Sequence, residues 1–176
     1  MNGESGLVTK RDRTKVLFVC LGNACRSPMA EAIASRLAED VIEPSSAGLT
    51  PLGRVEPLTI ETLVRNGYPA AGLESKPIQF EALRGAGIIV NMSGRPKEIA
   101  FDDPAQVEDW LVEDPYGADA ELYQRIFEDI ERRVAKLADR LRNHGRSDTK
   151  SGHIKQQGIG ESGRDEPYDG GEEKLV

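Results

Sequence analysis

The chain is poor in the residues that mark several whole classes of protein. Its 176 residues include two cysteines, two histidines and one tryptophan, and aromatic residues make up only 5%. Two cysteines exclude a disulfide-stapled scaffold and suit a reducing compartment. The only histidines, His144 and His153, lie far downstream in polar sequence. A structural zinc site needs four ligands with paired spacing, so no metal is expected. No apolar run approaches the roughly 18 residues that span a bilayer. The N-terminal MNGESGLVTKRDRTK lacks the apolar core of a signal peptide. Membrane is therefore not an expected partner, and the predicted location is cytoplasmic. A net charge of -7 argues against nucleic acid as an obligate partner, because neutralising its phosphates needs a basic face.

What remains is a soluble α/β pattern in one domain. Lys15–Val19 reads as a short, β-branched, buried strand. Pro28 suits the first turn of a helix, and Met29, Ile33 and Leu37 recur at four-residue spacing to about Asp40. Val41–Ala47 is a weaker strand interrupted by Pro44. A second helix carries Leu58, Thr62 and Arg65, with Gly67 just beyond it. Phe80–Arg84 is a short helix and Gly87–Met92 a second clear strand. Pro96–Phe101 supplies one or two helical turns, and Asp109–Val112 is a short strand. Leu122, Ile126, Ile130, Val134, Leu137 and Leu141 make one apolar stripe, which predicts a helix from Asp119 to about Asn143, closed by Gly145. Strands alternating with helices predict a three-layer α/β sandwich around a four-stranded parallel sheet. The expected organisation is a flexible segment 1–14, a domain 15–143 and a disordered polar tail 144–176, which is too glycine-rich and too polar to offset its ordering entropy.

Both cysteines fall in one short stretch, Cys20-Leu21-Gly22-Asn23-Ala24-Cys25-Arg26-Ser27-Pro28. With Cys20 ending the first strand, the loop 21–26 lies at the carboxyl edge of the sheet, where open α/β sheets bind ligands. A tight loop leading into a helix N-terminus gathers backbone N–H groups into a nest for an anion. Gly22 permits the turn, and Asn23 tolerates a left-handed conformation. Arg26 adds a planar cationic fork suited to two phosphoryl oxygens. The same N–H dipoles, the guanidinium and the Ser27 hydroxyl stabilise a sulfur anion at Cys20. One environment thus holds a phosphate and activates a nucleophile that forms a phosphocysteine. The positive field is built in, so no cofactor is expected.

The run from Cys20 to Glu31, C-x5-R-S within CLGNACRSPMAE, closely resembles the low-molecular-weight protein tyrosine phosphatase family. The resemblance implies that Cys20 is the nucleophile and that Arg26 clamps the phosphoryl group. It implies that Asn23 and Ser27 shape the loop, with Ser27 also a good helix cap by itself, and that Ser46 supports the asparagine. It further implies a reversible Cys20–Cys25 disulfide that protects the nucleophile.

Cleavage of a phosphate ester needs a proton for the leaving oxygen, from another loop at the same edge. Asp114, in Val112-Glu113-Asp114-Pro115-Tyr116, follows a strand and precedes a stiffening proline. The like charge of a bound dianion keeps such a carboxyl protonated until it is used. Asp114-Pro115-Tyr116 also matches the family's Asp-Pro-aromatic element. Glu113 is expected to face solvent. Tyr116 and Leu21 are the expected walls of the entrance, and aromatic walls favour a flat aryl phosphate. The expected phosphate site comprises Cys20, Arg26 and Asp114, with Leu21, Gly22, Asn23, Ala24, Cys25, Ser27 and Tyr116 around the substrate.

The sequence departs from the family in three places. Tyr116 is followed by Gly117 where many members have a second tyrosine. A histidine that holds the loop asparagine would fall near Leu73, and a wall aromatic near Leu52; neither is present. The expected partners are phosphotyrosine proteins or small aryl phosphates, with phosphate and related oxyanions in the loop. Thioredoxin-coupled arsenate reductases share this loop and relay oxidation through two further cysteines, expected within Asn91–Phe101. That segment has Ser93 and no thiol, which leaves an arsenate reductase using an external thiol as the alternative enzyme. A module that binds phosphotyrosine without turnover is the alternative of another class.

Overall fold

The structure is a computed structural model that describes residues 13–151, with side chains described through residue 144. Most of the segment 1–14, the tail beyond 151 and Tyr168 lie outside the described residues. The elements, in chain order, are β1 (Thr14–Cys20), α1 (Arg26–Leu37), β2 (Ile42–Gly48), α2 (Pro57–Arg65), α3 (Phe80–Gly85), β3 (Ile88–Asn91), α4 (Lys97–Ala100), β4 (Val107–Asp109) and α5 (Ala120–Ser151). The four strands form one sheet in the order β2-β1-β3-β4, and every pairing is parallel. This is the three-layer sandwich expected from the alternation of strands and helices.

Because successive side chains on a strand point to opposite faces, the unbroken apolar run of β1 feeds two cores. Val16, Phe18 and Cys20 join Met29 and Ile33 of α1, Leu63 of α2 and the stripe Ile126, Ile130, Val134 and Leu137 of α5. Leu17 and Val19 face the other way, towards Ala47, Ile89, Val107 and the partly buried Leu83 and Ala100 of α3 and α4. A strand buried on both faces needs apolar residues at every position, which is why β1 shows no polar alternation.

Four boundaries differ from the sequence reading, each for a local reason. Pro44 lies inside β2 and does not interrupt it, since β2 is an edge strand and one side of its backbone has no partner to lose. The fourth strand is Val107–Asp109, not Asp109–Val112. Its neighbour β3 ends at Asn91, whose carbonyl accepts the Trp110 N–H at 2.8 Å, so the chain beyond Trp110 has nothing to pair with. The last helix runs through Gly145 to Ser151; glycine in helical conformation costs only about 1 kcal/mol relative to alanine. Finally, α1 starts at Arg26, which places Ser27 inside the first turn. Its hydroxyl therefore caps nothing and points to the sheet edge.

Phe18 is fully buried and meets Trp110 with ring centroids 6.0 Å apart. Phe18→Ala is expected to lower unfolding free energy by about 3–5 kcal/mol, the range for a large core truncation, with the urea midpoint as the readout.

Candidate active site

The loop between β1 and α1 is held from outside by its carbonyls. Cys20, Leu21, Gly22 and Ala24 accept hydrogen bonds at 2.8–3.1 Å from the N–H groups of Leu49, Thr50, Leu52 and Glu56 in the segment after β2. The Gly22 carbonyl also accepts the Ser75 hydroxyl at 3.0 Å, and the Ala24 carbonyl the Thr59 hydroxyl at 3.0 Å. With the carbonyls drawn outward, the loop amides are left on the concave side. Among the described residues, the N–H groups of Gly22, Ala24 and Cys25 have no protein acceptor. Asn23 takes the left-handed conformation, with φ 47°. Gly48 is packed so closely that an added Cβ would come within 2.9 Å of the Asn23 backbone nitrogen. Only glycine lets β2 and the loop approach this far.

Asn23 is the fastener of the loop, and every polar atom of its side chain is used. Its Nδ2 donates to Ser27 Oγ and to Ser46 Oγ, each at 2.9 Å, and its Oδ1 accepts the Lys76 N–H at 2.8 Å. Ser46 in turn donates to Glu31 Oε2 at 2.5 Å. The backbone amide of Lys76 thus does the work for which the sequence reading sought a histidine near Leu73. Cys20 Sγ lies at the end of this chain. It accepts the Asn23 N–H at 3.2 Å and sits 3.0 Å from Ser27 Oγ. The Ser27 hydroxyl accepts from Asn23 and has one proton to give, to the sulfur or to the Ala47 carbonyl at 3.3 Å.

Arg26 and Asp114 come from opposite ends of the domain and meet over this loop. Arg26 is 3% exposed. Its Nη1 donates to the Val112 carbonyl at 3.3 Å and its Nη2 to Asp114 Oδ2 at 2.5 Å. Its Nε is buried with no hydrogen-bond partner among the described residues. A buried, unsatisfied, cationic donor is costly, and an anion bound in the loop would remove that cost. Asp114 is half-exposed, and its Oδ1 accepts the Tyr116 N–H at 3.2 Å, which fixes the turn. Glu113 is exposed, as expected, although it lies beyond the end of β4 and not on a strand.

These groups open into a cleft of about 330 Å³, lined by Cys20, Leu21, Gly22, Ala24, Cys25, Arg26, Asp114 and Tyr116 together with Thr50, Leu52 and Arg95. The profile of the low molecular weight phosphotyrosine protein phosphatase family matches residues 15–147.

The chain belongs to this family.

Its relatives nevertheless differ in chemistry. It is 31% identical to a glutaredoxin arsenate reductase of Synechocystis, over 72% of this chain and 98% of that protein. It is 28% identical to a protein-arginine-phosphatase of Bacillus subtilis, over 74% of this chain and 99% of that protein. The solved structure of a low molecular weight protein tyrosine phosphatase from T. tengcongensis superposes with a TM-score of 0.66 and 30% identity, covering 73% of this chain and 99% of that one.

The structure brings most of the residues singled out from sequence to one place. Cys20, Leu21, Gly22, Ala24, Cys25, Arg26, Asp114 and Tyr116 meet in one cleft. Asn23 and Ser27 are fully buried behind the loop and do not line it. Sequence reasoning missed Arg95, Thr50 and Glu31. Arg95 follows β3, and the rule that loops at the carboxyl edge carry function would have brought it in.

Cys25 shares the loop, yet its environment is unlike that of Cys20. Its Sγ is 3.3 Å from the Tyr123 hydroxyl, on the core side. Burial pushes its thiol up to about 11, against a contribution from the Tyr123 hydrogen bond that lowers it. In a Cys20→Ser variant, iodoacetamide should label Cys25 only as pH approaches about 11. Half-labelling near the ordinary value of 9.0 would contradict this burial.

Proposed function

We propose that the protein hydrolyses aryl phosphate monoesters, and phosphotyrosine in proteins above all, through a phosphocysteine at Cys20. The observation that carries the reading is the buried Arg26, with an unpaired Nε and Asp114 on its other edge. A phosphoryl group received by Nε and by the amides of Gly22, Ala24 and Cys25 would lie over Cys20 Sγ and beside the Asp114 carboxyl.

The Cys20 sulfur anion attacks phosphorus and forms an S–P bond as the P–O bond to the aryl group breaks. The Asp114 carboxyl gives its proton to the leaving oxygen. A water then attacks phosphorus, its proton passes to the Asp114 carboxylate, and the S–P electron pair returns to sulfur. Arg26 and the amides hold the equatorial oxygens throughout. Asn23, Ser27, Ser46 and Glu31 position the loop. The Arg26–Asp114 pair does not obstruct entry. One partner is half-exposed and so partly screened, whereas a dianion brings two charges and a bidentate fit.

The walls support an aryl group. Tyr116 and Leu52 are 54% and 49% exposed, and with Leu21 they offer flat and branched apolar surface at the mouth. Of the charged side chains lining the cleft, two are arginines and one is Asp114. That balance disfavours phosphoarginine, whose leaving group is a guanidinium cation. The chain has only two cysteines, so reduction of arsenate would require an external thiol. The reducing compartment that a catalytic thiol needs suits a cytoplasmic enzyme.

Cys20→Ser should abolish turnover of para-nitrophenyl phosphate. Asp114→Asn should lower kcat/KM, which reports only the steps up to the phosphocysteine, by about 10²–10⁴ for phenyl phosphate and by much less for para-nitrophenyl phosphate, whose leaving group needs no proton. An equal loss for both would remove Asp114 from the acid role. Phosphotyrosine peptides should outcompete phosphoarginine peptides in kcat/KM. Arsenate-dependent consumption of an added thiol faster than phosphotyrosine hydrolysis would favour the reductase.

A further inference from the structure

Arg95 is an unassigned cation in this cleft. It lies in the tight turn that leaves β3, four residues after the buried Asn91. That turn is built rigidly. Asn91 Nδ2 donates to the Arg95 carbonyl and to Asp109 Oδ1, each at 2.7 Å. The Ser93 N–H returns to Asn91 Oδ1 at 3.1 Å, and the Arg95 N–H donates to Ser93 Oγ at 3.2 Å. Gly94 between them takes a left-handed φ of 81°, which glycine adopts without strain. The backbone of Arg95 is therefore fixed at both its polar groups. Its guanidinium, by contrast, has no hydrogen bond or ion pair among the described residues.

The contrast with the other arginine of the cleft is informative. Arg26 is buried and already engaged by Asp114, the only carboxylate in the cleft wall. Arg95 is exposed, stands on a different loop, and among the described residues has no carboxylate paired with it. The chain as a whole carries a net charge of -7, so its general field repels acidic peptides. A free guanidinium at the mouth reverses that repulsion locally, for a ligand that approaches this edge of the sheet.

We propose that Arg95 is a specificity residue that receives a second anionic group of the substrate, a carboxylate or a phosphate carried next to the phosphotyrosine. The proposal rests on the reading of the cleft as an aryl phosphate site and adds the substrate class. The preferred substrates are phosphotyrosine segments with an acidic or phosphorylated neighbour. An exposed charge pair contributes modestly, and the expected preference is about threefold to fivefold at low salt, shrinking as ionic strength rises.

The test compares kcat/KM for four phosphotyrosine peptides that differ only in the flanking residues: glutamate, phosphoserine, glutamine or lysine. The wild-type enzyme should prefer glutamate and phosphoserine over glutamine, and glutamine over lysine. The order of the first two identifies carboxylate or phosphate as the better ligand. Arg95→Gln should flatten the series, and Arg95→Glu should invert it in favour of lysine. Only the main chain of Arg95 is bonded, so neither variant removes a contact that holds the turn. A wild-type series with no dependence on flanking charge overturns the proposal while leaving the phosphatase reading intact. So does a loss on Arg95→Gln that is equal for all four peptides and for para-nitrophenyl phosphate, which would make Arg95 a ligand of the reacting phosphoryl group. No turnover of any peptide by the wild-type enzyme would instead overturn the phosphatase reading.

Discussion

The site depends on the way the carbonyls of the loop 20–24 are tied outward. Each hydrogen bond from Leu49, Thr50, Leu52 and Glu56 fixes a peptide plane, and a fixed peptide plane aims its N–H as well as its carbonyl. Holding four carbonyls on the convex side therefore leaves amide dipoles on the concave side, over the Cys20 sulfur. Nothing in the loop has to reorganise when charge arrives, which is the condition under which aimed dipoles stabilise charge most. Asn23 locks the arrangement from behind, and Gly48 lets the neighbouring strand come close enough to do so.

The two cysteines of the loop sit in different surroundings. Cys20 ends a central strand, accepts the Asn23 N–H and lies 3.0 Å from the Ser27 hydroxyl. Cys25 immediately precedes α1, and its sulfur faces the Tyr123 hydroxyl on the core side. The two thiols differ in what surrounds them more than in where they stand in the sequence. The first sits against an N–H and a hydroxyl, and the second has burial that opposes a negative sulfur. The proposed roles of the two cysteines rest on that difference, because only the anion is a good nucleophile.

Much of this was legible in the residues. The double-sided apolar run of β1 announced a buried parallel strand, and a cysteine at its end followed by Gly22, Asn23 and Arg26 announced an anion loop. The Asp-Pro pair at 114 and 115 was legible once that loop existed, because a phosphate site needs a proton donor at the same edge. Other parts were not. Whether Pro44 breaks a strand depends on whether that strand is an edge, which is a property of the sheet. The end of β4 at Asp109 is set by the end of β3 at Asn91, its partner across the sheet, which is far from it in the chain. Lys76 replaces the expected histidine through its main chain, which any residue type could have done. Arg95 carries no motif of its own, and its one signal in the sequence was its place in the turn after a predicted strand, at the carboxyl edge of the sheet.

The most direct test of the anion nest over a sulfur nucleophile is protection of that sulfur by phosphate. At neutral pH, iodoacetamide should alkylate Cys20 and spare Cys25, and inorganic phosphate should slow Cys20 alkylation in the wild-type protein. In Arg26→Ala that protection should disappear. If phosphate leaves Cys20 alkylation unchanged in the wild-type protein, the loop does not hold an anion over the sulfur, and the account fails.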